Sequence, residues 1–175
     1  MQPAEVLEFW FGRERKAWFA KDTQFDAEIR SRFLPLYEQA SAGGLSSWHE
    51  EPRSCLALVI VLDQFPRNMF RGTARAFAAD RLALEAARTI VARGWDKAFT
   101  PDERTFAYLP FEHSESLEDQ ERALQLFEGS ENYEWARKHY EVVRRFGRFP
   151  HRNAALGRAS TPEELEFLRQ PGSGF

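Results

Sequence analysis

Apolar positions along this chain recur at helical spacing far more often than at the alternation of strands. Phe25, Ile29, Phe33 and Leu36 repeat three or four residues apart with Asp26, Glu28 and Arg30 on other faces, which predicts an amphipathic helix. Pro35 is placed to kink or split it, and Gly43-Gly44 to end it. Over 81–93, Leu82, Ala83, Ala86, Ala87 and Ile90 form a second apolar face, closed by Gly94. Three helix starts carry capping-box chemistry: TPDE at 100, SLED at 116 and TPEE at 161. Each sets a hydroxyl at the N-cap and an acid three residues on, where open amides and the helix dipole favour negative charge. Two of them also place Pro at the first helical position, where no amide donor is missed.

The stretch LALVIVLDQF is ambiguous, because its β-branched run also suits a buried strand. A buried helix is the better reading, since no other segment offers a partner and a lone strand leaves its backbone groups unpaired. Residues 116–147 read as a helical hairpin, SLEDQERALQLFEG, a short turn, then YEWARKHYEVVRRFG. Its length approaches the roughly 34-residue tetratricopeptide unit, although the signature residues of a true array do not repeat. The expected fold is all-α, about eight to ten helices packed as tetratricopeptide-like hairpins. No linker divides the chain, so residues 1–175 are expected to form a single domain.

Composition narrows the function classes. Among 175 residues, 16 Phe and five Trp supply a heavy aromatic core, and the balance of 43% hydrophobic to 29% charged residues argues against disorder. A formal net charge of −3 provides no global attraction to nucleic acid or to an anionic membrane, so any anion site must be a local patch. The longest uncharged apolar run, Cys55 to Leu62, falls far below the about 20 residues a membrane span needs. The opening MQPAEVLEFWFGRERK has no basic segment followed by a long apolar run, so no signal peptide and a cytoplasmic location are expected. The lone Cys55 excludes an internal disulfide and reads as a small buried hydrophobe.

Positive charge is concentrated twice beside the same Phe-Pro step, in DQFPRN at 63 and RFGRFPHRN at 145. Between Asp63 and Asp80 there is no acid, but Arg67, Arg71 and Arg75; between Glu141 and Glu163 there is none, but Arg144, Arg145, Arg148, Arg152 and Arg158, with His151. Guanidinium forks suit phosphate and carboxylate because they donate two parallel hydrogen bonds. Each Pro is expected to break the helix before it, so that the arginines leave on a turn. The bland alternative is that they cap helix ends and pair with this chain's own acids.

A third segment, LPFEHSESLEDQ at 109, holds Glu112, His113, Glu115, Glu118 and Asp119, a source of a general base. It contains neither H-E-x-x-H nor E-x-x-H, so no metal and no cofactor are expected. His139 lies in the apolar row Trp135, His139, Val142, Phe146 and reads as a core histidine. The aromatic group Phe9, Trp10, Phe11, Trp18 and Phe19 reads as core as well. No P-loop, Gly-rich dinucleotide turn, G-x-S-x-G elbow or CxxC pair occurs.

Taken together, LDQFPRNMFRGTARAFAAD, YLPFEHSE, DQ, RFGRFPHRNAALGRAST and the closing PGSGF resemble the bacterial domain of unknown function 924 family. The resemblance runs from VLEFWFG to the last residue. It implies an all-α fold with tetratricopeptide-like packing and carries no established activity. Its motifs match at Asp63, Gln64, Arg67, Asn68, Arg71, Glu112, His113, Glu115, Arg148, His151, Arg152 and Asn153.

Three readings follow. In the first, a small phosphate- or carboxylate-bearing molecule binds a polar pocket through Arg67, Arg148 and Arg152, flanked by Asp63, Gln64, Asn68, Arg71 and Asn153. His113 or His151 carries a proton there, oriented by Glu112 or Glu115. If catalytic, the site belongs to a cofactor-independent hydrolase or transferase. In the second, helical hairpins form a non-enzymatic groove for a peptide or protein partner. In the third, the motifs are a buried ion-pair network that fixes the packing of short helices.

Overall fold

Residues 52–69 form one rod that the rest of the first half of the chain packs around. The computed structural model describes residues 1–175. The rod comprises α4 (Pro52–Val59), a π turn at Ile60–Gln64 and α5 (Phe65–Met69). Every residue from 55 to 66 is buried, the expected fate of a helix apolar on all sides. LALVIVLDQF is thus a buried helix, as its lack of a partner strand predicts.

Pro66 does not break this helix, contrary to the expectation from the Phe-Pro step. A proline at that position cannot donate to the carbonyl of Leu62 and would crowd it. The π turn relieves the conflict by widening the helix just before the ring. The Phe65 amide reaches back five residues to the Ile60 carbonyl, and helical structure continues through Met69.

The chain divides into two compact units, residues 1–71 with 75–110 and residues 72–74 with 111–175. In the first, α1 (Pro3–Phe11), α3 (Thr23–Ser41) and α6 (Asp80–Ala92) pack on the rod. The short α2 (Arg15–Trp18) and most of α7 (Pro101–Glu112) complete it. Helix α3 runs unbroken through Pro35. The core is aromatic: Phe33 lies 4.7 Å from Phe9 and 4.6 Å from Phe65, and Trp10 meets Phe106 edge-on at 5.4 Å. Cys55 is fully buried in this core, and burial pushes its thiol up to about 12, so it stays protonated as a small hydrophobe.

The second unit is built on the predicted hairpin, α8 (Leu117–Phe127) against α9 (Tyr133–Phe146). Helix α9 ends at Gly147, whose φ of 71° is the left-handed turn that glycine accepts most readily. A 3₁₀ turn at Pro150–Arg152, α10 (Asn153–Leu156) and α11 (Pro162–Leu168) follow. Val142, Val143 and Phe149 form the core there, with Phe146 and Phe167 packed against them. With α4 and α5 joined by the π turn, the eleven α-helical segments make ten helices and there is no strand. No helix is long and apolar enough to cross a membrane.

Two of the three predicted capping boxes form. Thr100 and Glu103 exchange hydrogen bonds of 2.9 and 3.3 Å, and Thr161 and Glu164 do so at 2.9 and 3.1 Å. SLED does not close, because the hydroxyl of Ser114 intervenes. Ser114 Oγ accepts from the Ser116 amide at 3.2 Å and donates to Asp119 at 2.7 Å, taking both ends of the expected box.

Glu164 accepts four hydrogen bonds. Arg148 grips it with two hydrogen bonds of 2.8 and 2.9 Å, and the amides of Thr161 and Asn153 add 2.9 and 3.1 Å. The Arg148 guanidinium holds the carboxyl at about 2, against the opposing effect of burial. A folded value below the ordinary 4.5 means stability present above that pH and lost as pH falls from 4.5 towards about 2. Glu164→Gln should therefore be less stable than wild type at neutral pH and lose less on acidification over that window. Urea titrations followed by circular dichroism at stepped pH measure both effects; parallel acid curves would refute the assignment.

Candidate functional site

The two Phe-Pro segments meet different fates. In the first unit, Arg67 donates to both oxygens of Asp80 at 2.7 and 3.0 Å, and lies 3.2 Å from Asp63 on the preceding turn. Burial works against the guanidinium charge, but Asp63 and Asp80 outweigh it and raise the pKa. Gln64 Nε2 donates to Asp63 at 2.7 Å. Asn68 and Arg71 both turn to Asp26 near the start of α3, at 2.7 Å from Asn68 and at 2.5 and 2.9 Å from Arg71. Gln64, Arg67, Asn68 and Arg71 are thus directed at carboxylates of their own unit, Asp63 among them.

In the second unit, the segment after Gly147 is tied down by two carboxylates. Glu164 takes Arg148 and Asn153, as described above. Glu115 takes the Phe149 amide at 2.8 Å and a two-pronged bond from Arg158, 2.8 Å on each oxygen. Burial works upward on the Glu115 carboxyl, but the Arg158 and Phe149 hydrogen bonds and the nearby Arg152 outweigh it and lower its pKa. Pro150 then starts the 3₁₀ turn that presents His151 and Arg152.

Beside this scaffold, Glu112, His113, His139, His151 and Arg152 come together in the second unit. His139 Nδ1 lies 2.8 Å from the Trp135 carbonyl and 3.0 Å from Glu112 Oε1, with both side chains buried. A carbonyl oxygen has no hydrogen to give, so the hydrogen sits on Nδ1 and Nε2 keeps its lone pair. Arg152 lays its guanidinium over the Phe149 ring at 4.7 Å and donates to the His113 carbonyl at 2.8 Å. The His113 and His139 rings are 6.4 Å apart, and His151 is 5.6 Å from Phe149. No group of three or more His, Cys, Asp or Glu side chains here has metal-holding geometry.

The row containing His139 is not uniformly apolar. Trp135 is 54% exposed and lies under Lys138, while His139 and Val142 turn inward. His139 is buried, as its position in that row predicts, and it meets Glu112, a pairing the sequence gives no spacing to reveal. Phe175 is a second residue the motifs do not flag as part of this group. Its ring stacks on His139 with centroids 3.8 Å apart and faces His151 at 5.6 Å.

Burial pushes the His139 imidazole down to about 3; the Trp135 carbonyl opposes this, and the nearby His113, His151 and Arg152 reinforce it. The folded chain thus binds fewer protons at this ring than the unfolded chain does below the ordinary value of 6.5. Stability from the neutral imidazole is present above that pH and lost as pH falls towards about 3. Nitrogen chemical shifts should show His139 still neutral, with its hydrogen on Nδ1, at about pH 5. A charged ring at that pH would contradict this arrangement.

Residues 6–172 match the family model described as bacterial protein of unknown function DUF924. A solved structure of a protein of unknown function, ATU0120 from Agrobacterium tumefaciens, is similar at 43% identity and a TM-score of 0.92, over 95% of this chain and 96% of that one. No curated protein matches. With the family model spanning nearly its whole length, this chain belongs to the DUF924 family of bacterial proteins of unknown function.

Proposed function

We propose that the second unit binds a small carboxylate- or phosphate-bearing molecule through His113, His151 and Arg152, beside the Glu112–His139 pair. The observation that carries this reading is one guanidinium and three imidazoles gathered against an aromatic wall, with the buried Glu112 carboxyl on His139. Imidazoles and a guanidinium donate to anions, and low-dielectric walls strengthen each such bond. Glu112 orients His139, whose Nε2 lone pair is a proton acceptor for a bound acid or for chemistry upon it. Arg148, Asn153 and Glu115 act as the scaffold that sets His151 and Arg152 in place.

For Asp63, Gln64, Arg67, Asn68 and Arg71 the proposed role is structural. The two-pronged Arg67–Asp80 and Arg71–Asp26 pairs favour it, since both sets of donors point at carboxylates of the chain itself. In this unit the ion pairs fix where α5 lies against α3 and α6.

Inorganic phosphate and acetate are the probes. Titrated into the wild-type chain, each should produce saturable shifts in the imidazole signals of His113 and His151. Arg152→Lys, which keeps the charge and loses the fork, should weaken phosphate by about tenfold. Absence of saturable shifts at both imidazoles in the wild-type protein would sink the proposal whether or not the variant folds.

A further inference from the structure

Phe175 has no part in the reading above, yet its ring stands where a ligand's ring would stand. It lies nearly parallel to His139, at 29° and 3.8 Å, and meets Phe149 and His151 edge-on at 6.0 and 5.6 Å. The same ring also lines a groove of about 250 Å³ walled by Val142, Phe146 and Phe167, with Lys138 and Arg145 among its lining residues. The ring therefore separates that groove from the imidazole face it covers.

The strap that delivers the ring is lightly built. Residues 171–174 read Pro-Gly-Ser-Gly, and Gly172 takes a φ of 77°. Ser173 Oγ donates to the Leu168 carbonyl at 3.1 Å, which fixes the start of the strap and leaves the ring to aromatic contact. Glycine-rich backbone with few buried contacts is the kind that opens locally at low free-energy cost.

The geometry points to a slot for a planar aromatic acid, with Phe175 as the internal occupant that the ligand's ring displaces. This rests on the anion-binding reading of the same cluster. A flat neutral imidazole, flanked by Phe149, suits an aryl ring better than a saturated or strongly hydrated group. A ring in the place of Phe175 brings a carboxylate substituent within reach of the half-buried His151, 5.6 Å from that ring. The groove offers the exit path, and its basic residues Lys138 and Arg145 favour an anion on the way in. Arg145 also donates to Glu163 at 2.9 Å, and Glu141, which lines the groove too, is held by Arg137 at 2.5 Å.

Calorimetric titration of benzoate and acetate into wild type and Phe175→Ala tests the inference, after circular dichroism shows that the variant keeps its helices. Benzoate should bind the variant about tenfold more tightly than wild type, because the competing ring is gone, with acetate unchanged. If acetate still binds while benzoate gains nothing, the plug is refuted and the anion site stands. Equal gains for both acids refute a ring-specific slot. If neither acid binds either protein, the anion site falls and this inference falls with it.

Discussion

The geometry of the second unit hangs on two carboxylates, the buried Glu164 and the half-buried Glu115, that collect the basic segment after α9. Without Glu164 and Glu115, the chain from Arg148 to Arg158 has no reason to double back. Arginines crowded into a few residues repel one another, and short helical turns have little intrinsic stability. Each carboxylate converts that repulsion into a fixed path by accepting both a guanidinium and a backbone amide: Arg148 with the Thr161 amide, and Arg158 with the Phe149 amide. Charge-assisted bonds of this kind are short and directional, so they set orientation as well as position. The placement of His151 and Arg152 is a consequence of these two anchors.

The imidazole cluster is arranged around its most deeply buried ring, His139. Glu112 lies 3.0 Å from His139, while His113, His151 and Arg152 oppose a charge on that ring. Burial and these neighbours together leave the ring neutral, which is the state His139 adopts. Donors held in place by neighbouring ion pairs form a fixed field, and fixed fields are how proteins recognise anions without reorganising.

Local chemistry was the legible part of the sequence. The TPDE and TPEE starts, the glycine stop at Gly94, and the α8–α9 hairpin all follow from contacts within a few residues, and these formed. SLED failed for a reason also local but two residues outside the motif, the Ser114 hydroxyl. Pro66 was misread because proline's effect depends on whether the preceding turn can widen, and burial on every side made that widening preferable to a break. The acid-free arginine segments announced themselves, but their partners did not. Asp26 lies far upstream of Arg71 and Glu115 far from Arg158, and spacing carries no information about such pairs. The joining of Glu112 to His139 and of Phe175 to both His139 and His151 is tertiary in the same sense.

The π turn has one more consequence, for the phase of the rod. A regular helix advances about 100° per residue, so accommodating one extra residue rotates everything downstream by about that angle around the axis. Asp63 and Gln64 lie inside the widened turn, and Arg67, Asn68 and Arg71 lie after it. The rod therefore carries two azimuths: one that buries Cys55 to Leu62 in the aromatic core, and another that swings the polar end of the same helix round to the carboxylates of Asp80 and Asp26. A single inserted residue lets one helix serve as hydrophobic axle and as polar clasp, two tasks whose ideal angular settings differ.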